Sequence, residues 1–149
     1  MYLKLRIDGI EVNSFEMKPK PEDIDNTTQF HIDMHVSINP IFERKLALAF
    51  IEIGVRKFGT PEKLAGLSVF MGFRIENFEE AFPLEDGVHK ITEGIGSLLN
   101  SISLSTVRGI LFSMLKGTYL SKAIIPIVDM RNLKPLLPPV DDSPPVGEE

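Results

Sequence analysis

The stretch Ser101-Ile102-Ser103-Leu104-Ser105-Thr106-Val107-Arg108-Gly109-Ile110-Leu111-Phe112-Ser113-Met114-Leu115-Lys116-Gly117 decides how this chain folds. Leu104, Val107, Leu111 and the pair Met114/Leu115 recur at steps of three and four, so one apolar stripe runs along a helix. Ser101, Ser103 and Ser105 offer side-chain oxygens just ahead of the stripe and predict the helix start there. Lys116-Gly117 predicts the stop, a cation near the negative end followed by a residue that turns left-handed without strain. Beyond it, Ala123 to Val128 is too apolar for water and is held extended before Pro126. One helix cannot bury its own stripe. The rest of the chain must supply the surface beneath it.

That surface reads as β-structure. Leu3, Leu5 and Ile7 alternate with Lys4 and Arg6, and after Asp8-Gly9 the apolar positions become Ile10 and Val12. A phase change at glycine predicts a bulge or bend in a first strand over residues 1–17. Phe30, Ile32, Met34, Val36 and Ile38 alternate with His31, Asp33, His35 and Ser37, so a second strand has one dry and one wet face. Leu46 to Phe58 is apolar on both parities at first, and its Phe50, Ile51, Ile53 and Val55 favour a strand over a helix. Leu67 to Phe78 predicts a fourth strand, with Val69, Met71, Phe73 and Ile75 on one parity. Four strands with short connections predict an antiparallel meander or Greek key. Val88 to Leu99 predicts a weaker, short helix, because Gly94 and Gly96 each cost about 1 kcal/mol of helix propensity.

Composition bounds the function. At 149 residues the chain has the size of one domain, and 43% hydrophobic residues suffice for a sizeable core. A net charge of −5 argues against nucleic acid as the main partner. There is no unbroken apolar run of membrane-spanning length and no signal-peptide core at the N-terminus. Zero cysteines exclude disulfides, thiolate metal sites and cysteine nucleophiles, and fit a cytoplasmic location. Residues 134–149 hold five prolines and several acids, and predict a tail with little to bury after a single domain over residues 1–133.

Candidate chemistry is sparse. His31-x-Asp33-x-His35 invites a metal, but residues four apart on a strand lie roughly 13 Å apart, too far for both rings to reach one ion. Serines 97, 101, 103, 105 and 113 lack a Gly-x-Ser-x-Gly setting, and Gly94-Ile95-Gly96 lacks the frame of a dinucleotide site. Glu79, Glu80, Glu85 and Asp86 read as a solvated acidic turn. Arg108 is expected to pair with a carboxylate in a structural or subunit-interface role. No enzyme, metal or cofactor site follows from these residues. Ile41, Phe42, Phe78 and Phe82 stand at strand ends or in loops, and exposed apolar side chains there would mark a client-binding surface.

The order of several short motifs resembles the SecB-like export chaperones. Val12-Asn13-Ser14-Phe15-Glu16 with Pro19 is similar to the ending of that family's first strand. Val69, Gly72, Phe73 and Ile75 resemble a later strand, with spacing that matches only in part. Thr106-Val107-Arg108-Gly109 followed by Lys116-Gly117-Thr118-Tyr119 resembles the family's long helix and its exit, and Ile125-Pro126-Ile127-Val128-Asp129 the segment after it. The resemblance implies an α+β fold, a four-stranded antiparallel sheet with two C-terminal helices packed on one face. It implies a homotetramer, a dimer of dimers, that holds unfolded polypeptide without nucleotide and hands it to the export motor SecA. It gives Arg108, Gly117, Tyr119 and Pro126 structural or interface roles. The chain departs from the family where prolines 135, 138 and 139 cut short the next helix, where the tail carries no Cys or His, and where Leu67 to Met71 is apolar rather than acidic. An oligomeric adaptor, or a chaperone dedicated to one partner such as an antitoxin, is the alternative.

Overall fold

The strand periodicities close into one four-stranded antiparallel sheet, which the computed structural model shows along with the rest of residues 4–127. Its strands are β1 (Leu5–Met17), β2 (Phe30–Ile41), β3 (Leu46–Lys57) and β4 (Lys63–Ile75). A one-turn helix α1 (Phe78–Ala81), a small hairpin of β5 (Leu84–Glu85) and β6 (Val88–His89), and the long helix α2 (Glu93–Leu115) follow. Sheet order is β1-β4-β3-β2, so β2 to β4 form a meander and β1 crosses to the far side to pair with β4. Of the two predicted topologies, the crossing makes it a Greek key.

Register places the dry residues on one face. Ile51 pairs with Val69 and with Val36, and Ile53 pairs with Leu67 and with Met34. Central β3 is apolar on both parities because Ala47, Ala49, Ile51, Ile53 and Val55 face the core, while Leu46, Leu48 and Phe50 stay half-buried on the opposite face. The Phe50 and Phe70 rings pack there with centroids 4.7 Å apart. The phase change read at Gly9 is a register shift between Ile7 and Gly9; a second, between Val12 and Ser14, had no glycine to announce it. β4 starts four residues earlier than the predicted Leu67 and ends at Ile75.

The helical region differs from its reading. The predicted weak helix and the strong one are a single helix, Glu93–Leu115, and Val88 belongs to the hairpin instead. Ser101, Ser103 and Ser105 are therefore interior to the helix, and the residue that starts it is Thr92, whose side chain makes no capping hydrogen bond. Burial of Ile95 and Leu99 against the core outweighs the glycine cost and extends the helix backwards. The two expected C-terminal helices are thus one, α2, and the short α1 lies in a stretch read as the end of a strand and an acidic turn. At 23 residues α2 is also long and apolar enough to cross a membrane, a signal its serines hide from a search for unbroken runs. Here Leu99, Leu104, Val107, Leu111 and Leu115 are buried with the sheet residues Ile38, Ile51, Val69, Met71 and Phe73.

The stop falls where predicted. Gly117 has φ +79°, and the Thr118 hydroxyl donates to the Leu115 carbonyl at 2.7 Å. Leu120, Ala123 and Ile125 then return to the core. Among the described residues Arg108 pairs with no carboxylate; its guanidinium donates to the carbonyls of Ile125 and Pro126, each at 2.9 Å, and ties this exit segment to the helix. Val128 to Leu133 and the tail from Lys134 lie outside the described residues. Gly117→Ala, which has open space but the wrong backbone hand, is expected to cost about 1–2 kcal/mol by chemical denaturation; no loss would mean that the left-handed turn is not required.

Candidate functional site

Strand β1 carries the site because its dry face is left uncovered. Ile7 pairs with Phe73, Ile10 with Met71 and Val12 with Val69, so all three share the face on which α2 packs. Yet Phe73, Met71 and Val69 are fully buried, whereas Ile7, Ile10 and Val12 stay 43–48% exposed. Helix α2 lies over β3 and β4 and does not shelter these three. Leu5 and Phe15 pack partly against the core at either end, and exposed Met17 continues the row. From Ile7 to Met17 the ledge runs about 30 Å at strand rise.

At its far end a depression of about 430 Å³ is lined by Glu16, Met17, Lys18, Pro19, Lys63, Leu64 and Ala65. Tyr119, in the exit of α2, closes on this region by donating its hydroxyl to the Lys18 carbonyl at 2.7 Å. Burial, and then the charge of Glu62, push the Tyr119 phenol above its usual range, so it stays a donor. Helix α2 leaves further apolar surface open at Leu98 and Phe112, and the exit segment does so at Ile124 and Ile127. The exposed apolar row on β1 can take an extended peptide with alternate side chains inward.

The predicted client residues fall out differently. Phe78 and Phe82 are fully buried, which corrects their placement on an exposed surface: their rings pack 4.7 Å apart beneath the hairpin. Ile41 is half-buried at the end of β2, and only Phe42 is exposed. Phe42 stacks on the His89 ring at 4.2 Å, and His89 Nδ1 lies 3.0 Å from the Phe82 carbonyl oxygen. Phe42, Phe78 and Phe82 therefore organise the α1–hairpin corner with His89. Sequence reading missed the ledge because its residues look like any half-buried strand. The one signal was that Ile7, Ile10 and Val12 lie in a strand with two phase shifts, a habit of sheet edges.

The wet face of the sheet is polar toward β2. His31, Asp33 and His35 point there as predicted, opposite Arg56, Gly54 and Glu52. Arg56 Nε donates to Asp33 at 2.8 Å, and His31 Nε2 lies 3.2 Å from the same carboxylate. Asp33, His35 and Arg56, with Glu16, Lys63 and Ser68, line a shallow bowl of about 480 Å³ floored by the paired Gly54 and Gly66. The Lys63 stem lies across Gly66, so the glycine makes room for a side chain of the protein itself. Among the described residues no group of three His, Cys, Asp or Glu is placed to hold a metal.

Comparison with known proteins rests on the fold. No protein-family model matches the sequence, and no curated protein matches it. Among solved structures, the chain is similar to the SecB-like chaperone Rv1957 of Mycobacterium tuberculosis, solved in complex with a ChAD peptide from the Rv1956 HigA1 antitoxin. The TM-score is 0.56 at 11% identity, over 84% of this chain and 90% of that one. A protein of unknown function from Streptococcus agalactiae aligns over 78% of this chain with a TM-score of 0.36 and 11% identity. The chain has the SecB-like fold. At this identity the likeness concerns architecture: the antiparallel sheet and the C-terminal helix agree, as the sequence motifs implied.

The bowl gives a pH prediction. The Arg56 hydrogen bond, with His31 adding to it, holds the Asp33 carboxyl below its ordinary 3.8, and Lys57 and Thr27 do the same for Asp23 and Asp25. A carboxyl lowered in the folded state adds stability that is present above its unfolded value and lost as pH falls through the folded one. Thermal midpoints should therefore hold down to about pH 4 and drop below it, and Asp33→Asn should flatten part of that drop. A drop of unchanged size in the Asn variant would remove Asp33 from the account.

Proposed function

We propose that this protein is a SecB-like chaperone that holds extended, apolar polypeptide segments on the β1 ledge without nucleotide. The observation that carries the reading is a row of dry-face residues, Ile7, Ile10 and Val12, left about half exposed beside a buried core. The fold shared with a chaperone solved on an antitoxin peptide supports it. Covering about 300 Å² of apolar surface, counted over ledge and client, yields roughly 7 kcal/mol at 25 cal/mol per Å². Lost translational and rotational freedom opposes this by at least about 4 kcal/mol, so single segments bind weakly and reversibly. That suits holding rather than locking. A client long enough to touch several ledges gains avidity, which fits assembly of the chain into a dimer of dimers.

Location in the cytoplasm and hand-over to SecA belong to the same proposal, and the missing acidic stretch on Leu67 to Met71 weighs against the second. A chaperone dedicated to one partner is the other reading, favoured by the antitoxin peptide on the similar structure.

Near-stoichiometric protein should suppress aggregation of a denatured model substrate, and Ile10→Asp, on an already exposed position, should remove most of that effect while the fold persists by circular dichroism. Suppression untouched by Ile10→Asp would place the client elsewhere, and none by the wild type would sink the holding reading. Affinity capture from cells decides between the readings: a diverse set of unfolded chains for the general chaperone, one stoichiometric partner for the dedicated one.

A further inference from the structure

Helix α2 is fastened unequally along its length. Its C-terminal half is tied by Arg108 to the Ile125 and Pro126 carbonyls, and by Thr118 to the Leu115 carbonyl. Val107, Leu111 and Leu115 beneath it are at most 1% exposed. The N-terminal half has few such ties. Thr92 provides no side-chain cap, and Gly94 and Gly96 weaken the first turns. Its sheet side, moreover, carries two polar residues, Asn100 at 2% and Ser103 at 0% exposure. Among the described residues, Asn100 Oδ1 and Ser103 Oγ are both buried without a hydrogen-bond partner. Lying three apart, they share one face of the helix.

A buried polar atom left unpaired favours any state that returns it to water, by roughly a factor of ten for each such atom. We propose that residues 93–103 form a flap that separates from the sheet while the half from Leu104 to Leu115 stays docked. Opening hydrates both oxygens together and exposes Ile95 and Leu99 with the sheet surface beneath them. The missing cap and the two glycines lower the cost of bending or fraying in the same place. Polar atoms and weak helical turns thus coincide in one half of a helix whose buried side is otherwise apolar. The flap follows from packing alone; its use as an entrance that enlarges the client surface rests on the chaperone reading.

Amide hydrogen exchange followed by NMR on the full chain tests the flap without any client. Amides of Leu98 to Ser103, beyond the first turn where all helices fray, should exchange about tenfold or more faster than those of Val107 to Leu111. The double variant Asn100→Leu/Ser103→Ala removes the orphaned oxygens at similar volume, and should slow the N-terminal amides selectively. Thr92→Asp, which adds a capping carboxylate at an exposed end, should do the same without touching the core. Uniform protection along α2 overturns the flap; that is also what a water bridging the two oxygens and holding the half shut would give. Exchange unchanged in both variants overturns it as well. In the aggregation assay, a slowed flap that suppresses as well as wild type removes its role as an entrance. Failure of the wild type to suppress would instead defeat the chaperone reading and leave the exchange data to decide the flap.

Discussion

Coverage of a sheet by a single helix is the constraint from which the rest of this structure follows. Four strands spaced about 4.8 Å apart make a surface wider than the 10–12 Å of one helix with its side chains. Helix α2 spends its stripe on β3 and β4, where Ile51, Val69, Met71 and Phe73 become fully dry. The core-facing side chains of β2 are partly sheltered, but Ile7, Ile10 and Val12 of β1 are not. An apolar row that nothing in the described residues covers is a consequence of width. It is also the feature from which a binding function can be argued.

The same helix must meet two demands. Along its C-terminal half it acts as a clamp, because Gly117 turns the chain back, Leu120 to Ile125 return to the core and Arg108 holds their carbonyls. Along its N-terminal half it buries Asn100 and Ser103, which an apolar pair would replace at lower cost. A helix optimised only for stability would not place them there. Clamp and weak half together make α2 a lever with a fixed end, and the ledge supplies an apolar surface on the edge strand of the same sheet.

Much of the architecture was legible in the residues. Alternation from Phe30 to Ile38 placed a strand with the correct dry face, and the phase shift at Gly9 placed a bulge. Phe50, Ile51, Ile53 and Val55 correctly overrode the helical leaning of Leu46 to Ala49. Reading failed where tertiary contact overrules local preference. Serines 101, 103 and 105 have the chemistry of caps but lie inside α2, since burial of Ile95 and Leu99 extends the helix past two glycines. Phe78 and Phe82 looked exposed because they lie outside regular runs, yet α1 and the hairpin fold over them. The candidate site was the least legible part, because exposure of Ile10 depends on how far a distant helix reaches.

Sequence by itself determined the four strands of the sheet, the dry face of each and the stop at Gly117, because these follow from side-chain period and backbone freedom within a few residues. It also carried the likeness to SecB-like proteins through the order of short motifs. Only the tertiary structure decided which strands form the edges, that one helix serves in place of two, and that Arg108 binds the backbone oxygens of the exit segment. Those outcomes depend on which surfaces meet across long sequence separations. A residue's polarity states what it can bury, but only its neighbours state whether anything covers it.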